Sequence, residues 1–210
     1  QPAFTTSGRG RSAAPCATKR SSMESCTSTG PAAPPEKSAP QIEGAMLGMK
    51  GAIEDGKDAK KKYKSAPMFA PAGQSTQMIV GADAATDADI VGKASTLYDR
   101  FSLRRVYYSA FSPIPDASDV LPLNRPPLMR EHRLYQSDWL MRFYGFKPEE
   151  VVSAAEPDGM LPLDIDPKLA WALKFRERFP VDVNRAPREV LLRVPGLGVK
   201  AVDKLIASRR

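Results

Sequence analysis

The chain has 210 residues, of which 42% are hydrophobic and 26% charged, and its formal net charge at pH 7 is +7. This composition is typical of a globular protein with one or two domains. Two cysteines are too few for a disulfide framework, and no apolar run is long enough to predict a membrane-spanning helix or a secretory signal. We therefore expect a cytoplasmic protein without membrane contact.

Residues 1–40 differ in composition from the rest of the chain. They are dominated by Ser, Thr, Pro, Ala and Gly and show no apolar periodicity. Such a segment buries too little apolar surface to offset the entropy lost on ordering. We expect residues 1–40 to be disordered or an artefact of gene prediction.

The middle of the chain predicts a strand–helix–strand unit. After a charged helical segment at residues 41–64, an apolar run at residues 75–81 predicts a buried strand. Residues 90–98 have helical periodicity, and residues 105–113 predict a second strand. Strands joined by a helix pair in parallel, so the fold class is α/β. Because two parallel strands leave both sheet edges open, we expect only marginal order here without a larger sheet or barrel.

Helices are predicted for most of the remaining chain. Beyond a proline-rich connection, helical periodicity occurs at residues 129–144, 147–155 and 166–179. In the first of these helices we expect an apolar face formed by Leu134, Trp139, Leu140 and Phe143.

The segment 181–210, here called the C-terminal hairpin, contains the most informative pattern. Asn184 is expected to cap a first short helix that has Pro187 in its first turn. Glycines 196 and 198 predict a turn between the two helices, because glycine permits positive φ and the close approach of another backbone. The expected apolar stripes of the two helices are Val190, Leu191 and Val194, and then Val199, Val202, Leu205 and Ile206.

The turn and the start of the second helix predict an anion site. The first N–H groups of a helix have no acceptor within it and bind phosphate readily. The segment also has seven Lys or Arg residues against three Asp or Glu residues. An ordinary helical hairpin, whose glycines only end one helix and start the next, is the alternative. The residues predicted to bind the DNA backbone are Pro195, Gly196, Leu197, Gly198, Val199, Lys200 and Lys204.

The sequence from Asn184-Arg-Ala to Val194-Pro-Gly-Leu-Gly198 resembles the helix-hairpin-helix motif. The segments 70–83, 106–115 and 130–146 resemble a family of radical S-adenosylmethionine proteins associated with DNA modification or repair. The resemblance implies a uracil-DNA-glycosylase-like partner.

The same resemblance implies a domain organisation for the chain. Residues 41–125 would form the later part of a partial (βα) barrel, and residues 126–180 a helical linker region. Residues 181–210 would be the helix-hairpin-helix that binds DNA.

The resemblance also implies cofactors for a longer parent protein. The family holds a [4Fe–4S] cluster on a Cys-x3-Cys-x2-Cys loop, and the cluster chelates S-adenosylmethionine. Cys16 and Cys26 lack that spacing and there is no third cysteine, so we expect this chain alone to bind no cluster or metal and to be inactive. Gly81, Asp83 and Thr86 are candidates for the wall of the S-adenosylmethionine site. The alternative for Gly81 and Asp83 is a purely structural role.

Two functions follow from these observations. The first is the C-terminal portion of a radical S-adenosylmethionine protein that acts in DNA repair or modification and binds the DNA backbone non-specifically through its hairpin. The second is a non-catalytic DNA-binding adaptor that recruits a repair partner. No catalytic residue is assigned, and a hairpin that serves only protein–protein packing is a third possibility.

Overall fold

The computed structural model describes residues 22–23, 38–113 and 122–209. They form an α/β fold in which helices surround a small parallel sheet. Of residues 1–40 the structure describes only 22–23, which form a strand, and 38–40, where a helix begins, so the expectation of disorder is wrong for these residues. The others, including both cysteines, lie outside the described residues, and there the expectation stays a prediction. In the described part of the chain, no helix combines the length and the apolar character needed to cross a membrane.

The helices and strands predicted between residues 41 and 179 are all present, with boundaries shifted by a few residues. The strands are β1 (Ser22–Met23), β2 (Ser75–Val80) and β3 (Arg105–Ala110). The helices are α1 (Ala39–Lys62), α2 (Asp87–Phe101), α3 (Leu128–Tyr144), α4 (Pro148–Ser153), α5 (Pro167–Lys174), α6 (Arg188–Leu191) and α7 (Val199–Ser208). A single 3-10 turn, Arg176–Arg178, follows α5.

The predicted parallel pairing is confirmed. β2 pairs with β3 from Ser75 opposite Arg105 to Val80 opposite Ala110, with α2 as the crossover. The two residues of β1 pair in parallel with the other edge of β2, which gives the order β1-β2-β3. The main core lies where α2 covers the sheet. Its buried side chains from these elements include Met78, Val80, Val91, Ala94, Leu97, Phe101 and Val106.

Helix α3 buries a polar face and exposes an aromatic one. Leu134 and Leu140 are buried as expected, but Trp139 is 51% and Phe143 46% exposed. The prediction of one continuous apolar face was wrong because α3 lies along an edge of the sheet, where hydrogen-bonding groups are needed. The buried polar residues of α3 are Arg130, Arg133, Ser137 and Asp138.

The outer edge of β3 is closed by side chains from α2 and α3. Three N–H groups of β3 donate to side-chain oxygens. Val106 donates to the Tyr98 hydroxyl at 2.9 Å. Tyr108 donates to the Tyr135 hydroxyl at 3.0 Å, and Ala110 donates to the Glu131 carboxylate at 3.0 Å. The Tyr135 hydroxyl also donates to the Tyr108 carbonyl at 2.9 Å. The expectation of two open sheet edges was therefore wrong for β3, because these side chains take the place of a further strand.

A buried ion pair fixes the start of α3 against the start of α2. Arg130 Nε donates to Asp87 Oδ1 at 2.7 Å, and Arg130 Nη2 donates to the Ala85 carbonyl at 3.0 Å. The other oxygen of Asp87 accepts from the Leu161 N–H at 3.0 Å. Both ions are buried. A buried pair needs such additional hydrogen bonds to offset the loss of hydration, and here they connect three segments of the chain.

Closing of the β3 edge can be tested by Tyr135→Phe. The substitution leaves the N–H and carbonyl of Tyr108, a buried residue, without their partner, so we expect the free energy of unfolding to fall by about 1–3 kcal/mol. Urea unfolding measures the change. Tyr107→Phe is the matched control, since Tyr107 is 43% exposed on the same strand and should change stability by less than about 0.5 kcal/mol. Equal effects of the two variants would contradict the interpretation.

Candidate nucleic-acid interface

The C-terminal hairpin, described to residue 209, consists of α6 and α7 joined by a short turn. Helix α6 is a single turn whose N-cap position is Pro187. The prediction that Asn184 caps this helix was wrong. Asp182 closes a separate turn before α6, in which its carbonyl accepts from the Ala186 N–H at 2.9 Å and its carboxylate accepts from the Asn184 N–H at 2.9 Å.

The hairpin has a small core of its own, formed by Leu191, Leu192 and Val202. Val190, expected in this core, is 38% exposed instead. Helical periodicity failed here because the chain leaves α6 after Leu191, which turns Leu192 inward. The side chains packed around this core are Tyr144, Val181, Ala186, Leu197, Val199 and Ile206.

The two glycines of the turn have different roles. Gly196 has a φ of 80°, in the left-handed region that favours glycine. Gly198 has a φ of −90°, so it does not use the positive φ that glycine permits. A Cβ added at Gly198 would meet only the Tyr144 hydroxyl, at 3.7 Å, which is an ordinary contact. The fold of the turn therefore requires glycine at position 196 but not at position 198.

Helix α7 begins with N–H groups that point to no acceptor in the described chain. Gly198 is its N-cap, and the first N–H to bond back is that of Val202, which donates to the Gly198 carbonyl at 3.0 Å. The first turn of α7 holds no acidic residue, and Lys200 is its second residue. A cation at this end of a helix opposes the helix dipole and costs about 0.3–1 kcal/mol. An anion bound at the N–H groups would reverse that effect.

The cations of the hairpin divide into engaged and available ones. Arg188 pairs with Asp203 at 2.8 Å, and Arg209 donates to two backbone carbonyls. Lys200 and Lys204 lie one turn apart on α7 and are both exposed. Among the described residues, neither of these two ammonium groups has a hydrogen bond or an ion pair. The predicted DNA-binding lysines are therefore brought together beside the N–H groups that start α7.

Arg193 docks the hairpin onto α3 and α4 instead of facing a ligand. Its guanidinium donates to both carboxylate oxygens of Glu150, at 2.9 and 2.7 Å, and to the Gly145 carbonyl at 3.3 Å. It also lies 4.7 Å from the ring centroid of Phe146. Burial alone would raise the pKa of Glu150, but the hydrogen bonds from Arg193 and from the Lys147 N–H outweigh it and hold that pKa below its usual value.

Sequence reasoning missed one residue at the turn, Lys168 of α5. Its Nζ donates to the Leu197 carbonyl at 2.6 Å and lies 4.7 Å from the ring centroid of Tyr144. The residue is only 8% exposed. A lysine in the first turn of an amphipathic helix looks like an ordinary surface cation in the sequence, so no local signal could have identified it.

Gly81 follows β2 directly and has a φ of 78°. A Cβ built on it would lie 2.8 Å from Cγ of Pro126, so the proline ring packs against the glycine backbone. Both the positive φ and this close approach require glycine. Packing within the chain thus accounts for Gly81 without a cofactor.

Thr86 and Asp83 lie in the same loop, between β2 and α2. Thr86 is the N-cap of α2, and its hydroxyl donates to the Asp89 carboxylate at 2.7 Å and accepts from the Asp89 N–H at 3.2 Å. The Asp83 carboxylate accepts from the Ala85 N–H at 3.1 Å. Helix capping thus accounts for Thr86. The role of Gly81, Asp83 and Thr86 in an S-adenosylmethionine site stays a prediction, and we assign no reaction step to them.

In the ranges 22–23, 38–113 and 122–209, no three His, Cys, Asp or Glu side chains are grouped so that they could hold a metal ion. His132, the only histidine of the chain, is exposed on α3.

Comparison with known proteins gave no relatives. No protein-family model, no curated protein and no solved structure matches the chain.

Docking of the hairpin can be tested by Arg193→Met. We expect the free energy of unfolding to fall by about 1–2 kcal/mol. This lies between the loss expected for an exposed ion pair and that for a buried one, because the Arg193–Glu150 pair is partly buried. The pKa of Glu150 is lower in the folded than in the unfolded chain, so the pair stabilises the fold above the unfolded pKa of about 4.3. That stabilisation is lost as the pH falls through the folded pKa.

Urea unfolding of wild type and Arg193→Met over a series of pH values measures this difference. The two curves should converge as the pH is lowered below about 4.3. Arg185→Met is the matched control, because the Arg185 side chain is 90% exposed and lies 3.8 Å from Asp182. A difference between wild type and Arg193→Met that does not depend on pH would contradict the role assigned to Glu150.

Proposed function

We propose that this chain binds duplex DNA through the phosphate backbone, without sequence preference, and that the C-terminal hairpin is the anchor. The observation that carries the proposal is the group of N–H donors at the start of α7, from Gly198 to Lys200, beside two lysines that have no partner among the described residues. A phosphate oxygen accepts from these N–H groups and gains from the helix dipole. No base contact is needed, so binding is indifferent to sequence.

The spacing of the two lysines suits a chain of phosphates better than a single ion. Lys200 and Lys204 are four residues apart on α7, which separates them by about 6 Å along the helix axis. One lysine can neutralise the phosphate held by the N–H groups while the other contacts a neighbouring phosphate of the same strand. The net charge of +7 adds long-range attraction to a polyanion. In this arrangement the turn from Pro195 to Leu197 lies against the DNA backbone, and Val199 packs against the core of the hairpin.

We further propose that the chain belongs to a longer radical S-adenosylmethionine protein that acts in DNA repair or modification. The parallel β2–α2–β3 unit is consistent with a segment of a partial (βα) barrel. The closed outer edge of β3 supports a position at the end of such a sheet, because a further strand could pair there only by displacing Tyr98, Tyr135 and Glu131. The [4Fe–4S] cluster and S-adenosylmethionine belong to the parent in this proposal.

The DNA proposal can be tested by fluorescence anisotropy with two unrelated duplexes over a salt series. Lys200→Ala should weaken binding of both duplexes alike and reduce the salt slope by about 0.9, since one fewer counterion is released. Lys204→Ala should act in the same way. Gly198→Val, at a φ that valine can adopt, should weaken binding by shielding the N–H groups while its unfolding curve stays close to that of wild type.

Lys62→Ala is the matched control, because it removes the same charge from an exposed position on α1. It should leave affinity and salt slope unchanged. An effect of Lys62→Ala as large as that of Lys200→Ala would show that net charge alone, and not the hairpin, attracts DNA. Much tighter binding of one duplex would likewise refute anchoring through phosphates.

A second candidate function is a DNA-binding adaptor that recruits a repair partner, and the exposed face of α3 favours it. The rings of Trp139 and Phe143 contact each other in a tilted arrangement with centroids 4.5 Å apart, and about half of each residue is exposed. Leu128 and Met129 of the same helix are also exposed. Exposed aromatic residues of this kind are typical of the energetic centre of protein interfaces. A uracil-DNA-glycosylase-like protein is the partner proposed.

Trp139 itself can report such a contact, because Trp171, the other tryptophan, is buried. Adding a purified uracil-DNA-glycosylase-like protein should shift the emission of Trp139 to shorter wavelength. The double variant Trp139→Ala/Phe143→Ala should no longer co-sediment with that partner protein in analytical ultracentrifugation. Its DNA affinity should be unchanged. Leu123→Ala, at a residue 89% exposed before α3, is the control and should have no effect. Unaltered co-sedimentation of the double variant would exclude this surface as the docking site.

A further inference from the structure

The turn of the hairpin rests on a buried cation from another helix. Lys168 reaches from α5 to the Leu197 carbonyl, with its Nζ 2.6 Å from the oxygen and the Tyr144 ring beside it. The carboxylate of Asp166 accepts from the N–H groups of Lys168 and Leu169 at the start of α5. Lys168 is therefore held at its backbone end by a helix cap and at its ammonium end by the turn.

The contact fixes the orientation of one peptide group. The carbonyl of Leu197 and the N–H of Gly198 belong to the same planar trans peptide and point in opposite directions. Because Lys168 holds the carbonyl on the side of α5, the Gly198 N–H points away from α5. In the described chain this N–H meets no acceptor, and it is the first of the donors that open α7.

The ammonium also changes the strength of this donor. A charged donor at the carbonyl polarises the peptide and makes the N–H at its other end a better donor. The positive charge of Lys168 lies behind the peptide, in surroundings of low dielectric, where it is screened less than a surface charge. A phosphate in front of the Gly198 N–H is thus attracted by a cation that it does not touch.

We propose that Lys168 is a positioning residue of the phosphate site, which orients and polarises the Leu197–Gly198 peptide from behind. The inference rests on the proposed function of the hairpin. It adds a third cation to the two exposed lysines, and this cation acts only through the backbone.

Protonation of Lys168 links this role to pH. Burial lowers the pKa of Lys168 to about 8, although the Asp166 carboxylate acts in the opposite direction. In the described chain the titratable groups beside it are Asp166 on α5 and Tyr144 on α3, and the turn from Pro195 to Gly198 contributes none. A bound phosphate favours the protonated form, so DNA affinity should fall as the pH rises through about 8.

Stability should show the opposite trend. The pKa of Lys168 is lower in the folded chain than the value of about 10.4 expected for the unfolded chain. The unfolded chain therefore binds more protons in this interval, and the free energy of unfolding contributed by this group rises with pH. Affinity that falls while stability rises separates the phosphate effect from general unfolding.

Anisotropy with a duplex DNA at constant salt tests the inference with Lys168→Met, which keeps the apolar length of the side chain. We expect binding at pH 7 to be weaker by about tenfold, because the Gly198 N–H loses both its fixed orientation and the nearby positive charge. The salt slope should not change, because Lys168 contacts no phosphate. Lys174→Met is the matched control, since it removes a lysine from the last turn of the same helix, where Nζ donates to the Ser153 carbonyl.

The pH profile separates positioning from a merely structural role. Wild type and Lys174→Met should lose affinity between pH 7 and pH 9, whereas Lys168→Met should give a flat profile. A Lys168→Met variant that matches Lys174→Met would overturn the inference, and so would a salt slope reduced by about 0.9, which indicates direct phosphate contact. Lack of DNA binding by wild type would overturn the proposed function itself, and the role of Lys168 with it.

Discussion

Closure of the outer edge of β3 is the constraint on which most of this structure depends. The strand presents its N–H groups to one side, and hydroxyl and carboxylate oxygens from α2 and α3 accept from them. Helix α3 must therefore turn its polar residues toward the sheet. That orientation has two consequences. The aromatic face of α3 is exposed, and its last residue, Tyr144, packs against the hairpin.

One ion pair fixes the start of α3, and a second lies just beyond its end. Asp87 and Arg130 join its first turn to the start of α2, and both ions have further backbone partners that offset their lost hydration. Beyond its last turn, Arg193 connects the hairpin to Glu150 and to the Gly145 carbonyl. The proposed phosphate site at the start of α7 consists largely of backbone N–H groups. The direction of these donors depends on the main chain, so contacts that fix the hairpin also fix the site.

Periodicity in the sequence predicted the β2–α2–β3 unit because those elements bury apolar side chains in the ordinary way. It failed for Trp139 and Phe143, since a helix beside a sheet edge buries hydrogen-bonding groups instead. The prediction of a cap at Asn184 failed because the sequence does not show that Asp182 closes a turn first. The lysines of α7 could be predicted from local spacing. Lys168 could not, because its contact with the turn spans 29 residues of sequence.

The electrostatics at the start of α7 are unfavourable in the chain alone. Lys200 lies in the first turn, where the helix dipole is positive, and no acidic residue there offsets it. Lys168 adds a second cation behind the turn, bound to a carbonyl and not to a carboxylate. In α2 the corresponding position is filled by Asp87 and Asp89, the usual arrangement for stability. The start of α7 therefore concentrates positive potential, and in the proposed complex a phosphate would both accept from its N–H groups and supply a neutralising charge.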